Sequence, residues 1–148
     1  MMKHLLLASC SALALLAGCA SAPPPAQPVT PPPAPNFSVM EDNLLQEAKR
    51  LGNLVSTGAL TRLEAADQLN ARRLAMVGPH PVDDEVFRTY RELSRQVQYK
   101  KITQDKLRNA LMAKLEAVRK GYAVLEAKPL KPPVFTNMLL KIYERPPL

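Results

Sequence analysis

Few side chains here could do chemistry, and their spacing argues against most of it. The thiols are Cys10 and Cys19, and His80 stands alone between Pro79 and Pro81, far along the chain from His4. Asp83, Asp84 and Glu85 follow as a run of three carboxylates. A lone loop imidazole offers a metal one ligand where a zinc site needs three or four, so no metal is expected and His80 reads as a solvated turn residue. Neighbouring carboxylates could work as acid and base or hold a hard cation. At a helix start they more simply complement the positive end of the dipole, with Asp83 or Asp84 as the cap. Tyr90 and Tyr122 fall on apolar stripes and read as core. Glycine-rich phosphate loops, nucleophile elbows and Cys/His pairs are absent from the sequence. We therefore expect no enzyme, no cofactor, no catalytic residue and no identifiable small-molecule substrate.

Charge is the uneven feature. Residues 36 to 85 carry five basic and eight acidic side chains, and residues 86 to 148 carry fourteen basic and five acidic. Arg88, Arg91 and Arg95 step by three and four, which puts them on one face of a helix, and Lys100 and Lys101 continue the excess. Such a face is either ordinary solvated surface or an attractor for an acidic partner. The opposite signs of the two halves also permit head-to-tail self-association.

The thiols decide where the protein lives. The start, "MMKHLLLASCSALALLAGC", has a positive residue, Lys3, and an apolar run from Leu5 to Ala17. That run is shorter than the roughly 20 residues that cross a bilayer and has signal-peptide form. Cys10 would leave with it, and Cys19 would then have no disulfide partner. Leu16-Ala17-Gly18-Cys19 resembles the lipobox of bacterial lipoprotein precursors. The resemblance implies cleavage before Cys19, a diacylglycerol on its thiol, and an acylated amino group. Two or three acyl chains, at about 0.8 kcal/mol per buried methylene, hold a protein on a membrane stably. In that family an aspartate after the cysteine favours the inner membrane. Here Ala20 follows, which implies the periplasmic face of the outer membrane.

Eight of the 15 prolines fall between Pro23 and Pro35. "APPPAQPVTPPPAP" lacks the donors and the periodicity for helix or sheet and favours polyproline II. At about 3.1 Å per residue, residues 20 to 36 reach roughly 50 Å. The organisation expected is a signal peptide over 1–18, a lipidated cysteine and linker over 19–36, a helical domain over 37–128, and a tail over 129–148.

The helical domain must supply whatever surface the anchor presents. Met40, Leu44, Ala48, Leu51 and Val55 recur at helical steps, with Ser38 and Glu41 as a capping box and Gly58 at the C-terminal turn. A second helix starts at Thr61, boxed by Glu64, with Ala65, Leu69 and Met76 in its stripe. A third follows the prolines with Val86, Tyr90, Leu93 and Val97. The fourth, capped by Thr103, carries Leu107, Leu111, Leu115, Val118, Tyr122 and Leu125. Pro129, Pro132 and Pro133 are expected to end the bundle, leaving room for a short helix over Val134 to Tyr143.

The halves repeat at an offset of 42 residues: Val55 aligns with Val97, Leu60 with Ile102, Thr61 with Thr103, and Leu69 with Leu111. The glycine turn, aliphatic residue, threonine and acidic helix start of the first copy (Gly58, Leu60, Thr61, Glu64) resemble the short helical-hairpin motif called SHOCT. The second copy departs from it, with Lys100 at the turn and Lys106 at the boxing position. The resemblance implies an interaction or oligomerisation module. The expected fold is all-α, a small four-helix bundle of two hairpins over about 37–77 and 84–127. The expected function is a lipid-anchored, non-enzymatic envelope adaptor that binds a protein partner, or itself, through a helical or basic face and binds no nucleic acid. The alternative is direct binding of the basic half to peptidoglycan or anionic envelope lipid.

Overall fold

The computed structural model describes residues 34–148, so the signal peptide, Cys19 and the Pro-rich linker up to residue 33 lie outside the described residues. Five helices follow in order: α1 (Phe37–Ser56), α2 (Arg62–Val77), α3 (Pro81–Gln98), α4 (Gln104–Ala123) and α5 (Val134–Ile142). The described part is all-helical, as expected, and residues 34 to 148 form one compact unit. Sequential packing of α1 on α2, α2 on α3 and α3 on α4 realises the two hairpins.

The repeat is visible in the backbone, bond for bond. At the end of α1 the amide of Gly58 donates to Val55 O (3.1 Å) and that of Ala59 to Leu54 O (2.9 Å). At the end of α3, Lys100 donates to Val97 O (2.9 Å) and Lys101 to Gln96 O (2.8 Å). Each pair is a Schellman turn, which needs a left-handed residue. Gly58 supplies it at φ +76° and Lys100 at φ +56°. The lysine therefore holds the conformation that the missing glycine would take, at a steric cost of roughly 1–2 kcal/mol. The following helices restart alike: the hydroxyls of Thr61 and Thr103 accept from the amides of Glu64 and Lys106, both at 3.2 Å. Glu64 completes a capping box by accepting from the Thr61 amide (2.8 Å).

Two expected helix starts are corrected. α1 is capped by Asn36, whose side chain accepts from the Val39 amide (3.3 Å). Ser38 is the second residue of the helix, two positions past the cap. α3 begins at Pro81, which is tolerated at the first position because its missing N–H has no intrahelical partner there. Its cap is His80, not Asp83 or Asp84.

The segment after Lys128 forms the short helix expected within Val134 to Tyr143, but as part of the core and not in a tail beyond a four-helix bundle. All seven residues from Val134 to Leu140 are buried. α5 packs against α1 and α3, so the fold is a five-helix bundle and its core includes the last helix. Phe135 is fully buried and meets Phe87 edge-on (centroids 5.5 Å apart) and Tyr90 at 6.0 Å. Burial of each large apolar side chain of α5 contributes about 1.5–3 kcal/mol. These contacts join α5 to the core of Leu44, Leu51, Leu69, Val86, Leu111 and Leu115. Tyr122 is buried as expected, and Tyr90 packs partly buried against that core.

Candidate functional site

The nine-residue helix α5 opens on orphan amides, and its cap, Pro133, offers them no side-chain acceptor. Buried amides of that kind need a partner. Asp83, fully buried in the first turn of α3, provides it. Its Oδ2 accepts from the Phe135 amide (3.1 Å), and its Oδ1 accepts from the Thr136 amide (2.8 Å) and hydroxyl (2.7 Å). The triplet's first carboxylate thus caps a helix 52 residues downstream.

One repeat earlier, Glu41 occupies the equivalent place on α1 and accepts from Asn137 Nδ2 (3.3 Å). Each hairpin therefore sends the carboxylate at this repeat position to α5. Burial raises the Glu41 pKa above the ordinary carboxylate value, partly opposed by the Asn137 hydrogen bond and the Lys141 charge. Lys141 in turn pairs with Asp42 at 2.6 Å.

His80 is buried, contrary to the expectation of a solvated turn residue. Its Nδ1 accepts from the Asp83 amide (3.5 Å), and its Nε2 lies 3.1 Å from Lys131 O. Those partners assign the proton to Nε2, which donates to that carbonyl. The ring fastens the proline-bearing segment before α5 to the start of α3 and offers no free nitrogen to a ligand.

Two of the arginines on the expected basic face are paired within the chain. Arg91 lies against Asp67 of α2, donating from Nε (2.6 Å) and Nη2 (2.9 Å). That bidentate contact lowers the Asp67 pKa and raises that of Arg91. Arg95 pairs with Glu92 one turn back, at 2.6 Å, and together with the Gln96 side chain holds Glu92 down to about 2. Lys100 and Lys101 sit in the α3–α4 turn, about 18 Å along the helix axis from Arg88 at 1.5 Å per residue. Arg88 makes no ion pair or side-chain hydrogen bond among the described residues. Two members of the expected face are already paired with carboxylates, which leaves Arg88 toward one end and Lys100 and Lys101 at the other.

What the structure does bring together is Arg88, Arg91 and a residue the sequence reading passed over. Arg73 of α2 is only 2 % exposed. Its Nη2 donates to Asp84 Oδ1 (2.6 Å) and Asn70 Oδ1 (2.8 Å), its Nε donates to the same Asn70 oxygen (3.1 Å), and Phe87 lies beneath it with its ring centroid 6.0 Å away. The three arginines line one open pocket of about 410 Å³ with Asn70, Leu74, Asp84 and Phe87. Its signal in the sequence was the repeat: Arg73 aligns with Leu115, a core position, so an arginine there had to be buried.

Among the described residues no group of three or more His, Cys, Asp or Glu side chains is placed to hold a metal, and no helix is long and apolar enough to cross a membrane. No protein-family model, curated protein or solved structure matches this chain.

Proposed function

We propose that this protein is a lipid-anchored, non-enzymatic adaptor of the bacterial cell envelope. In this reading Cys19 is acylated, the Pro-rich segment is a spacer, and the five-helix unit is the head that meets a protein partner. The observation that carries the reading is the succession of Leu16-Ala17-Gly18-Cys19 behind an apolar run, a proline tract, and a helical unit. The placement of the acidic triplet supports a binding role over a catalytic one. Asp83 is consumed in holding α5, Asp84 in holding Arg73, and Glu85 pairs with Lys114. The outer membrane is the proposed location, on the strength of Ala20.

Binding through a protein partner is favoured over general attraction to polyanionic wall or lipid. Arg91, Arg95, Lys114 and Lys141 are each paired to a carboxylate within the chain, which cuts the field that a diffuse polyanion would feel. In-cell crosslinking of the full-length protein, followed by recovery and mass spectrometry, tests the proposal. A discrete partner lost on Arg88→Glu supports it. Crosslinks confined to cell-wall fragments, indifferent to that substitution, would overturn it.

A further inference from the structure

The buried guanidinium of Arg73 is incompletely satisfied. Nε and Nη2 are used by Asn70 and Asp84, whereas Nη1 is buried and has no hydrogen-bond partner. Phe87 covers a face of the group but presents no acceptor to it. An unpaired buried donor costs about 1–3 kcal/mol, and more on a charged group, so the arrangement is suited to receive an acceptor. Arg73 is also one of the residues lining the open pocket between α2 and α3, so a turn of its guanidinium would bring Nη1 to an acceptor there.

Charge selects the kind of acceptor. Arg73 is balanced by Asp84 and Arg91 by Asp67. Arg88 remains as the one uncompensated cation among the residues lining the pocket. One free positive charge suits a monoanion. A dianion would meet the Asp84 carboxylate with only half of its own charge compensated. The remaining wall is apolar, from Phe87 and from Leu74, which is 40 % exposed and fits an aliphatic flank.

We propose that this pocket between α2 and α3 binds a single carboxylate of a partner peptide, held by Arg73, whose Nη1 turns toward it, and by Arg88 from the rim, with an apolar residue of the peptide against Leu74 and Phe87. The carboxylate comes from an acidic side chain or from a chain terminus. The proposal rests on the adaptor reading for the existence of a partner and adds the chemistry that the partner presents. The repeat does not supply a second arginine of this kind, because the counterpart of Arg73 on α4 is Leu115.

The experiment is a titration of the full-length protein, ¹⁵N-labelled and held in detergent micelles, read at the arginine Nε–H signals and at the amides of residues 70–74 and 84–91. Three probes separate the sources: acetyl-Ala-Leu-Glu-amide carries only a side-chain carboxylate, acetyl-Ala-Leu-Ala only a terminal one, and acetyl-Ala-Leu-Ala-amide none. Saturable shifts with one or both carboxylate probes, and none with the third, support the site and name its source. Arg88→Ala, at an exposed position, should weaken binding about tenfold, as loss of one charge-assisted contact of about 1.4 kcal/mol requires. Arg73→Leu, the residue the repeat itself uses, should abolish it. Arg73→Lys, which keeps the charge and removes the fork, should do the same and serves if the leucine variant does not fold. Equal shifts with all three probes, no saturation below about 20 mM (an affinity of only some 2 kcal/mol), or unchanged binding in Arg88→Ala would overturn it. Any of these removes the carboxylate site even if crosslinking still recovers a partner, so the two proposals fail separately.

Discussion

Replacing Asp83 with alanine removes the one acceptor that, among the described residues, meets the amides of Phe135 and Thr136 at the start of α5. Three donors lose their partner at once: the amides of Phe135 and Thr136 and the Thr136 hydroxyl, at 3.1, 2.8 and 2.7 Å. Hydrogen bonds to a charged group contribute about 1.5–3 kcal/mol each, with strong overlap when they share one carboxylate. Both residues carrying the donors are fully buried, so water cannot readily replace the lost acceptor. A loss of about 3–5 kcal/mol follows, a large share of the 5–15 kcal/mol by which a domain of this size is stable. At roughly 4 °C per kcal/mol the melting temperature should fall by about 12–20 °C. Asp83→Asn keeps one oxygen for Thr136 but turns an amide donor toward the Phe135 N–H, and should fall between the two. Thermal unfolding of the full-length protein followed by circular dichroism at 222 nm (a helix signal) measures the shift, with Glu85→Ala as an exposed control. A fall under about 2 °C for Asp83→Ala, no larger than a surface change produces, would refute the claim that this carboxylate pins α5.

Two further perturbations read other parts of the fold. Lys100→Gly should stabilise the protein by about 0.5–1 kcal/mol, because glycine reaches positive φ without the Cβ clash; Gly58→Ala at φ +76° should destabilise by a similar amount, and paired urea titrations compare them. Glu41 bears a raised pKa from burial, so its neutral form is the one the folded state prefers. The sign then follows: its contribution is most favourable below the unfolded carboxylate value, near pH 4, and is lost as pH rises through the folded value. Glu41→Gln should therefore be at least as stable as the parent at pH 7 and lose that advantage near pH 4; a variant less stable at pH 7 and unchanged by acid would contradict the burial account.

Local signals in the sequence lead to local structure in the repeat, though not at the start of α1, where Asn36 caps in place of Ser38. Thr61 and Glu64 form the box that their spacing implies, and the 42-residue offset reappears as matched turns even where Lys100 replaces glycine. Features whose partners are distant in sequence were not legible. α5 is apolar on most of its circumference, so periodicity could not separate a core helix from a tail, and its flanking prolines read as an ending. Asp83 looked like a cap for its own helix because the acceptor's true partners lie 52 and 53 residues away. His80 looked solvated because the contact with Lys131 that buries it spans 51 residues. The pairing within the basic face is illegible for the same reason: Asp67, which pairs with Arg91, sits 24 residues upstream on another helix. The repeat held more than it yielded at first. It pairs Glu41 with Asp83, both directed at α5, and it sets Arg73 at a position where the second copy has leucine.

The envelope reading depends on the chemistry at residue 19. Intact-mass and peptide mass spectrometry of the protein isolated from its own cell membranes measures that chemistry directly. The account predicts a polypeptide beginning at Cys19 and heavier than its sequence by a diacylglycerol and one amide-linked acyl chain. A chain that begins at Met1, or an unmodified residue 19 in the membrane-derived protein, would contradict it.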